Sequence, residues 1–286
     1  MIARAPIAPL RPFVDRVWAT GSLTHGGQER QRERVLPTGR AHLVFRPDAT
    51  PLRLFDPHTD EIVAISHCVL AGPRTVRYDR AILPNTPSVG AVLRPAMAFA
   101  LVGVTSGSMV DTHIDARLAL GLPASELCDR LGETHGAEAQ LALLEAFLLT
   151  RIDERALAPR AVRSAVATLD GARPSSIAAI VEASGASHRH FSRLFCVHTG
   201  MTPKRYARVR RFDATVAALS QGDRSLAQIA ADLGYADQAH MTREFVAHAA
   251  LTPSEHRAAS PKDARHVALE VKILQDRPAI PHDDRR

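Results

Sequence analysis

The sequence predicts an α+β protein, with a β-rich, barrel-like N-terminal domain followed by an all-α C-terminal domain. Two sequence patterns and the distribution of charge lead to this division. Residues 10–115 contain Pro and Gly at short intervals, with brief apolar runs between them, which is typical of short strands joined by turns. Residues 160–258 repeat apolar side chains at helical spacing between Gly-centred turns. Residues 155–260 also carry 14 basic and 8 acidic side chains, whereas residues 1–154 carry 16 and 17.

The composition is that of a folded protein with enough residues for two domains. The chain has 286 residues, 45% of them hydrophobic, so disorder over the whole length is excluded. We predict domains at 1–154 and 155–260 and a polar, frayed tail at 261–286. The formal net charge of +6 allows nucleic acid or an anionic membrane as a partner. Because the excess lies in residues 155–260, the pattern favours a polyanion bound by that domain over a membrane.

The cysteines and the apolar runs predict the compartment. Cys68, Cys128 and Cys196 lie far apart and form no CxxC pair. Such a sparse, odd set argues against a disulfide scaffold or a structural zinc site and fits a reducing cytosol. The first residues lack the apolar segment of a signal peptide, and the most apolar stretch, Ala96–Val104, is far shorter than the roughly 20 residues of a membrane helix. We therefore predict a cytoplasmic protein without a membrane partner.

The first domain is predicted to contain short strands and a helical end. Leu141, Leu144 and Leu148 keep a spacing of three to four residues within the helical region 118–152. This leucine stripe is typical either of a core helix or of a helix that pairs with a second copy of the chain. The joint to the second domain is expected at 151–159. The predicted strands are Ala41–Phe45, Glu61–Ile65, His67–Ala71, Ala91–Leu93 and Phe99–Val104.

Short strands that close on themselves leave an interior that can hold one small ligand, whose identity cannot be read from the residues. The alternative is a ligand- or metal-dependent enzyme in residues 1–154, with ligands drawn from His42, His67, His113 and Cys68. No HxH, HxxxH or HExxH spacing occurs in this half, and the chain has no GxSxG, P-loop or GxGxxG motif. We therefore predict no catalytic residue, no metal ligand and no cofactor, and we do not expect an enzyme.

The second domain contains two similar units about 50 residues apart. In the first unit Gly185 ends one helix and Ser187 caps the next, and in the second unit Gly234 and Asp237 take these places. A helix, a short glycine turn and a second helix with polar residues on its outer face form a helix-turn-helix, which binds the major groove of DNA. The sequence also predicts capping boxes at Ser225–Gln228 and Thr252–Glu255, and helix starts at Thr202–Pro203 and Thr252–Pro253.

The segments Ser187–Phe195, Thr202–Pro203, Ile229–Tyr235 and Thr252–Arg257 resemble the DNA-binding domain of AraC/XylS-type transcriptional regulators. The resemblance covers residues 160–258. It implies a sequence-specific transcriptional regulator that binds two successive major-groove turns of double-stranded DNA, with RNA polymerase as a further expected partner. It also implies that the first domain senses a small-molecule effector or forms a homodimer.

Two residues depart from the family's pattern. Ala250 stands where the family usually has Gly, so the last turn is expected to be less tight. Met241 stands where Phe is usual and conserves the volume of the side chain. Neither departure removes a predicted DNA contact.

The first recognition helix carries Arg189 and Arg193 on one face, turned away from Phe191 and Phe195. A guanidinium group can bond guanine O6 and N7 together, so these arginines are the predicted base-reading residues, and the resemblance indicates the same positions. The alternative is a solvated helix face with no ligand. Further base or phosphate contacts are predicted for Ser187, His188, His190 and Ser192.

The second recognition helix and the helix between the units supply the remaining predicted contacts. Gln238 can pair with adenine, whereas Ala239 can touch only a thymine methyl group, so we expect this helix to discriminate less between sequences. The resemblance indicates a rigid linker helix whose basic residues contact phosphates. The other predicted DNA-binding residues are His240, Thr242 and Arg243, followed on the linker helix by Lys204, Arg205, Arg208, Arg210 and Arg211.

Overall fold

The computed structural model describes residues 2–21, 31–83, 86–171, 176–222 and 224–269. Nearly all of the strands lie in the first 115 residues, and one lies close to the end of the described chain. The strands are Ile2–Arg4 (β1), Val14–Thr20 (β2), Gln31–Val35 (β3), His42–Phe45 (β4), Arg53–Phe55 (β5), Ile62–Ala64 (β6), Cys68–Ala71 (β7), Tyr78–Ile82 (β8), Ser88–Leu93 (β9), His113–Asp115 (β10) and His266–Leu269 (β11).

The helices follow the strands and continue through the second domain. Among the described residues, none of them has both the length and the apolar character that crossing a bilayer requires. The helices are Ala98–Val102 (α1), Ala116–Leu120 (α2), Leu122–Glu133 (α3), Ala137–Arg151 (α4), Arg160–Leu169 (α5), Ile177–Ala183 (α6), His188–Thr199 (α7), Pro203–Ser220 (α8), Leu226–Asp232 (α9), Gln238–Ala249 (α10) and Pro253–Ala259 (α11).

The strands form two antiparallel sheets, with the orders β1-β2-β9-β4-β7-β10 and β11-β3-β8-β5-β6. Within the described ranges neither sheet closes, so the first domain consists of two open sheets and is barrel-like only in a loose sense. The edge strands β1, β6 and β10 have three residues each, which leaves little backbone for further pairing. The predicted α+β class is confirmed, with a strand-rich first domain and a helical second domain.

The core of the first domain lies between the six-stranded sheet and the helices that follow it. Leu43 of β4 and Leu70 of β7 are fully buried there, in the same cluster as Leu141, Leu144 and Leu148 of α4. The leucine stripe is therefore a core stripe, and its apolar area is already covered by the sheet. This burial of leucine side chains stabilises the fold by roughly 1.5–3 kcal/mol per residue.

Four of the predicted strands are confirmed, and the fifth is wrong. The run Phe99–Val104, predicted as a strand, falls mostly in helix α1. Gly103 ends this helix in the left-handed conformation (φ 68°), and its N–H donates to the carbonyl oxygen of Phe99. A short apolar run fits a buried strand and a buried helical turn equally well, and here the glycine cap determines the helix.

The predicted caps of the second domain are confirmed. The side chains of Ser187 and Asp237 accept hydrogen bonds from the backbone N–H groups of His190 and His240, at the starts of α7 and α10. Helix α8 begins at Thr202, which accepts from the N–H of Arg205. Both capping boxes, Ser225–Gln228 and Thr252–Glu255, are present. Each cap satisfies backbone N–H groups that a helix start leaves unpaired.

The expectation of a frayed tail is wrong for His266–Leu269. This strand pairs with Gln31–Val35 and becomes the edge of the five-stranded sheet of the first domain. Val267 is 2% exposed and packs in the core of the second helix-turn-helix unit, together with Leu36. Burial alternates along these four residues, but the sequence His-Val-Ala-Leu is too short to distinguish a strand from a polar tail. The remaining tail residues, 270–286, lie outside the described residues.

The expectation of unpaired cysteines is also wrong. The structure joins Cys68, at the start of β7, to Cys128 of α3 by a disulfide, and leaves Cys196 as a free thiol. The two half-cystines are 60 residues apart in sequence. They meet because α3 packs on the six-stranded sheet, and no local sequence pattern reports that contact.

Candidate nucleic-acid interface

Helix α7 presents one apolar and one polar face, as a recognition helix requires. Phe191 and Phe195 are fully buried, and their ring centroids are 5.8 Å apart. The ring of Phe195 also meets Tyr206 of α8 edge to face, at a centroid distance of 5.5 Å. These aromatic contacts fix the rotation of α7 about its axis, so the opposite face is held toward solvent.

The predicted residues of α7 lie on that outer face. His188, Arg189, His190 and Arg193 are exposed, and Ser192 is partly buried. In the described part of the chain, the guanidinium groups of Arg189 and Arg193 have no carboxylate partner within ion-pair distance. Both groups are therefore available to an external ligand. Ser187, in contrast, uses its hydroxyl oxygen as the helix cap.

Helix α10 repeats the arrangement of α7. Met241 and Phe245 are fully buried, so Met241 fills the position of the expected Phe as predicted from its volume. Gln238, Ala239 and Arg243 are exposed, and Thr242 is partly buried. The exposed face of this helix has fewer hydrogen-bond donors than that of α7.

The imidazole of His240 is held by contacts with residues just before α10 and one turn further along that helix. Its Nδ1 atom accepts a hydrogen bond from the N–H of Ala236 at 3.4 Å, and its Nε2 atom lies 3.6 Å from Glu244. The ring also packs edge to face on Tyr235, at a centroid distance of 5.5 Å. This imidazole supports the start of α10, and a phosphate contact would require Nε2 to leave Glu244.

The structure gives Arg210 of the linker helix α8 a role that differs from the predicted phosphate contact. Its Nε donates to Asp170 at 2.7 Å, and its Nη1 donates to Asp213 at 2.7 Å and to the carbonyl oxygen of Thr38 at 2.9 Å. Its side chain is only 13% exposed. Burial acts to lower the pKa of Arg210, but the two carboxylates outweigh it and raise the pKa. Arg210 therefore ties helices together inside the protein.

Arg211 is engaged in the same way, by the second unit. Its guanidinium group donates to both carboxylate oxygens of Glu244, at 2.9 and 3.1 Å, and stacks 4.4 Å above the ring of Tyr235. Glu244 is 5% exposed and also lies 3.5 Å from the Nε atom of Arg208. A bidentate pair of this kind fixes the angle between α8 and α10.

The other basic residues of α8 remain at the surface. Arg208 is 50% exposed and Arg205 is 52% exposed, although each has an internal contact. Lys204 is exposed and has no ion-pair partner among the described residues. The accessible charge of the linker helix therefore lies in Lys204, Arg205 and Arg208.

The first domain packs directly against this helical unit. The turn formed by Ser106–Ser108 contacts α7 near its end. Gly200, which caps α7 in the left-handed conformation (φ 78°), lies so close that a Cβ atom there would be 3.0 Å from the carbonyl oxygen of Ser106. A larger residue at this position would be strained by its left-handed backbone and would require the Ser106 carbonyl to shift.

A second group of contacts joins the first domain to the linker helix. Arg205 donates to the hydroxyl oxygen of Thr75 and lies 3.6 Å from Asp111. A ring nitrogen of His248, in α10, lies 3.2 Å from the carbonyl oxygen of Thr75. The loops around Thr75 and Asp111 thus touch the linker helix and the second helix-turn-helix unit.

The sequence reasoning missed the acidic partners behind the interface. Asp170, Asp213 and Glu244 hold Arg210 and Arg211 but are not part of any motif. Asp213 and Glu244 are nearly buried, and an acidic residue on a buried helix face was the available signal, because a buried carboxylate requires a cation.

Two protein-family models match separate parts of this chain. Residues 180–259 match the family model described as "Helix-turn-helix domain". Residues 3–115 match the model described as "Domain of unknown function (DUF6597)". A comparison with curated protein sequences gives no significant match.

A comparison with solved structures gives matches with TM-scores below 0.5. Apo ToxT K231A from Vibrio cholerae strain SCE256 is 13% identical over 85% of this chain and 96% of its own, with a TM-score of 0.48. An AraC-type regulator from Chromobacterium violaceum is 27% identical over 36% of this chain and 93% of its own, with a TM-score of 0.34. The DNA-binding domain of AdpA, solved with a target DNA, is 21% identical over 35% and 93%, with a TM-score of 0.34. The C-terminal part of this chain, in which α7 and α10 are capped in the same way, therefore contains a helix-turn-helix domain over residues 180–259.

Proposed function

We propose that this chain is a sequence-specific DNA-binding transcriptional regulator that reads two successive major-groove turns with α7 and α10. The observation that carries the proposal is the availability of the recognition-helix arginines. Arg189, Arg193 and Arg243 are exposed and have no carboxylate partner among the described residues, whereas Arg210 and Arg211 of α8 are partly buried and paired with carboxylates. The guanidinium groups of these three arginines are thus available on the faces that would enter the grooves.

Base recognition falls mainly to α7. Arg189 and Arg193 each offer two donors to guanine O6 and N7, a contact worth about 1–3 kcal/mol of discrimination. On α10, Gln238 would pair with adenine N6 and N7, and Arg243 would supply the second guanidinium group. We therefore expect the half-site of α7 to have the stricter sequence preference.

The linker helix α8 sets the distance between the two recognition helices. With 18 residues, α8 is about 27 Å long, and successive major-groove turns are about 34 Å apart. Lys204, Arg205 and Arg208 are placed to contact phosphates along its exposed side, and such contacts add affinity that falls with salt.

We propose that the first domain responds to a small-molecule effector and acts through its contacts with α7, α8 and α10. A ligand that moves the Thr75 or Asp111 loops would change the hold on Arg205 and His248. This would alter the relative placement of the two units. RNA polymerase and a second copy of the chain are expected as further partners of such a regulator.

The alternative of a metal-dependent enzyme has less support. It requires three of His42, His67, His113 and Cys68 to converge, but His42 and His113 both lie opposite Ala71 at one end of β7. His67 and Cys68 lie at the other end of that strand, three residues away. The four side chains therefore form two pairs, and no three of them share one end of the strand.

The proposal is tested by selecting duplexes from random DNA with the full-length chain and measuring Kd for variants on the selected site. Arg193→Ala should lose about 1–3 kcal/mol, roughly 5- to 150-fold in Kd, and should relax the preference at one base pair. Arg208→Ala should instead weaken all duplexes alike and reduce the salt dependence by about one phosphate contact.

The matched control is Arg53→Ala, which removes the same charge from the exposed strand β5 of the first domain. It should leave both Kd and the base preference unchanged. The proposal fails if the full-length chain selects no sequence at low salt, or if Arg53→Ala and Arg193→Ala weaken binding equally and without base preference.

A further inference from the structure

A cluster of metal-binding side chain types lies in the first domain, away from the DNA interface. One imidazole nitrogen of His67 and the Sγ atoms of Cys68 and Cys128 all lie within 4.8 Å of one another. Cys68 and Cys128 are buried, and His67 is partly buried. Within the described residues, these three side chains form the one group of three or more His, Cys, Asp and Glu residues whose ligand atoms lie close enough to hold a metal ion.

The fold holds these three side chains on rigid elements. Cys68 is the first residue of β7, and its N–H donates to the hydroxyl oxygen of Ser66 at 3.1 Å. The carbonyl oxygen of His67 accepts from the N–H of Arg46 at 2.9 Å. Cys128 lies on the buried face of α3, which packs on the sheet. Sites built on strands and helices keep their ligand geometry better than sites on loops.

The cluster is also accessible from solvent. His67 and Cys128 line an open cavity of about 410 Å³, together with Asp129 and Glu133. The same cavity wall includes Arg46, whose Nη1 atom donates to the carbonyl oxygen of Pro51 at 2.8 Å. The two carboxylates offset the charge of this guanidinium group, so a cation entering the cavity meets a wall without excess positive charge.

We propose that His67, Cys68 and Cys128, with both cysteines reduced, form a binding site for a thiophilic divalent metal ion, with zinc as the best fit. Two thiolates and one imidazole are soft and borderline ligands that select zinc over magnesium or calcium. Three protein ligands leave the fourth tetrahedral position to water or to a carboxylate of the cavity wall. The site is independent of the proposed DNA-binding function.

The geometry needs only a small adjustment to hold the ion. Zinc–sulfur and zinc–nitrogen bonds of about 2.3 and 2.0 Å place tetrahedral ligand atoms roughly 3.5–3.8 Å apart. The observed ligand atoms all lie within 4.8 Å of one another, and the Cα atoms of Cys68 and Cys128 are 7.2 Å apart. Rotation of the two cysteine side chains, once the bond between them is open, leaves room for an ion between the sulfur atoms.

Binding is coupled to reduction of the disulfide. A dithiol reductant transfers two electrons and two protons to the Cys68–Cys128 bond, yielding two thiols, while the reductant becomes its own disulfide. Zinc then binds with release of the two thiol protons and accepts the neutral imidazole of His67. The oxidised chain has no thiolate to offer and should bind no zinc at this site.

The test uses the full-length chain, reduced with a phosphine and freed of metal, and titrated with cobalt chloride and then zinc chloride. We expect one equivalent of cobalt to produce thiolate-to-cobalt charge-transfer absorption and one equivalent of zinc to abolish it. Cys128→Ser and Cys68→Ser should each weaken binding by more than about 100-fold, and His67→Ala by at least about 10-fold, because even residues that only support metal ligands cost about 10- to 100-fold. Cys196→Ser, which removes the free thiol, is the matched control and should bind as the parent chain does.

A second measurement uses the unmutated chain, so its result does not depend on whether the variants fold. Zinc should slow alkylation of Cys68 and Cys128 and leave that of Cys196 unchanged, as mapped by mass spectrometry of peptides. The inference is overturned if the reduced chain shows no cobalt–thiolate absorption, if a folded Cys128→Ser variant binds zinc as tightly as the parent, or if zinc protects only Cys196.

Discussion

Ala250 adopts the left-handed backbone conformation (φ 51°) that ends α10, where glycine would be free of steric cost. A residue with a Cβ atom in this conformation costs about 1–2 kcal/mol, and the greater freedom of glycine in the unfolded chain offsets about 0.5–1 kcal/mol of that. Ala250→Gly should therefore raise the free energy of unfolding by about 0.5–1 kcal/mol, as measured by urea denaturation.

Ala247→Gly is the matched control, because Ala247 is an exposed residue inside the same helix. Here the same change should lower the free energy of unfolding by about 1 kcal/mol. If both variants destabilise the protein equally, the left-handed position of Ala250 carries no cost and the account of this cap is wrong.

Arg210 shows how a residue that a sequence assigns to DNA can serve the fold instead. Arg210→Ala would leave Asp170 and the nearly buried Asp213 without this cation. The free energy of unfolding should fall by about 2 kcal/mol, because charge-assisted hydrogen bonds are lost. The loss is limited because Asp213 keeps its ion pair with Arg265 and Asp170 keeps its ion pair with Arg40. Thermal or urea denaturation of the full-length chain measures the change.

Arg208→Ala, at an exposed site on the same helix, should change the free energy of unfolding by no more than about 0.5 kcal/mol. If the Arg210→Ala variant is instead as stable as the parent and binds all duplexes uniformly more weakly, Arg210 contacts phosphate as the sequence predicted.

At the scale of elements, strands β4 and β10 carry two histidines that the fold keeps neutral. His42 and His113 both lie opposite Ala71 of β7. Burial lowers the pKa of each to about 3, and nearby cationic side chains, such as Arg74 beside His113, add to the effect. The Nε2 atom of His113 is buried without a hydrogen-bond partner among the described residues, and its ring packs against Tyr78 at 4.6 Å.

These depressed pKa values predict that acid weakens the fold. Below about pH 6.5 the unfolded chain protonates both imidazoles and the folded chain does not, so stability is lost as the pH falls. Each histidine contributes a slope of up to about 1.4 kcal/mol per pH unit, and together these two should lower the free energy of unfolding by about 4 kcal/mol between pH 7 and pH 5. Urea denaturation at several pH values measures this slope.

His113→Gln should reduce the slope of stability against pH by up to about 1.4 kcal/mol per pH unit, because one neutral imidazole is gone. His198, His248 and His256, whose pKa values are also lowered by burial, keep their share of the slope. Equal slopes in the parent chain and in His113→Gln would show that His113 is not held neutral.

Helix ends were the part of the structure most open to prediction from sequence. Ser187, Asp237 and Thr202 are recognisable because capping is local chemistry within three residues. The short strands were harder to predict. A run such as Phe99–Val104 fits the spacing of a strand and that of a buried helix equally well. The strand His266–Leu269 pairs with a strand far away in sequence, which no local pattern reports. The exposed residues of the recognition helices could be predicted from the buried phenylalanines, but the ion pairs of Arg210 and Arg211 depend on packing between distant helices.

At the scale of the whole molecule, the chain links its two domains at both ends of the helical unit. The turn at Ser106–Ser108 touches α7, and strand β11 returns from the helical domain to the five-stranded sheet. Val267 and Leu36 share the apolar core of the second unit. The contacts of Cys68 with Cys128 are likewise long-range, which is why the sequence alone predicted unpaired cysteines.

This connectivity bears on regulation. An effector bound in the first domain would act on α7 through the Ser106–Ser108 turn and on α8 through Arg205. Both helices carry predicted DNA contacts, so a shift of either changes the affinity for paired half-sites more than the affinity for one. The proposed coupling therefore requires both units to bind the same duplex.

The most direct test of the central claim is a hydroxyl-radical footprint of the full-length chain on its selected duplex. Two protected segments on one face of the DNA, about 10–10.5 base pairs apart, are predicted, since α7 and α10 would enter successive major-groove turns. Arg193→Ala should weaken one segment first, and Arg243→Ala the other. A single protected segment, or two arginine variants that affect the same base pairs, would contradict the account.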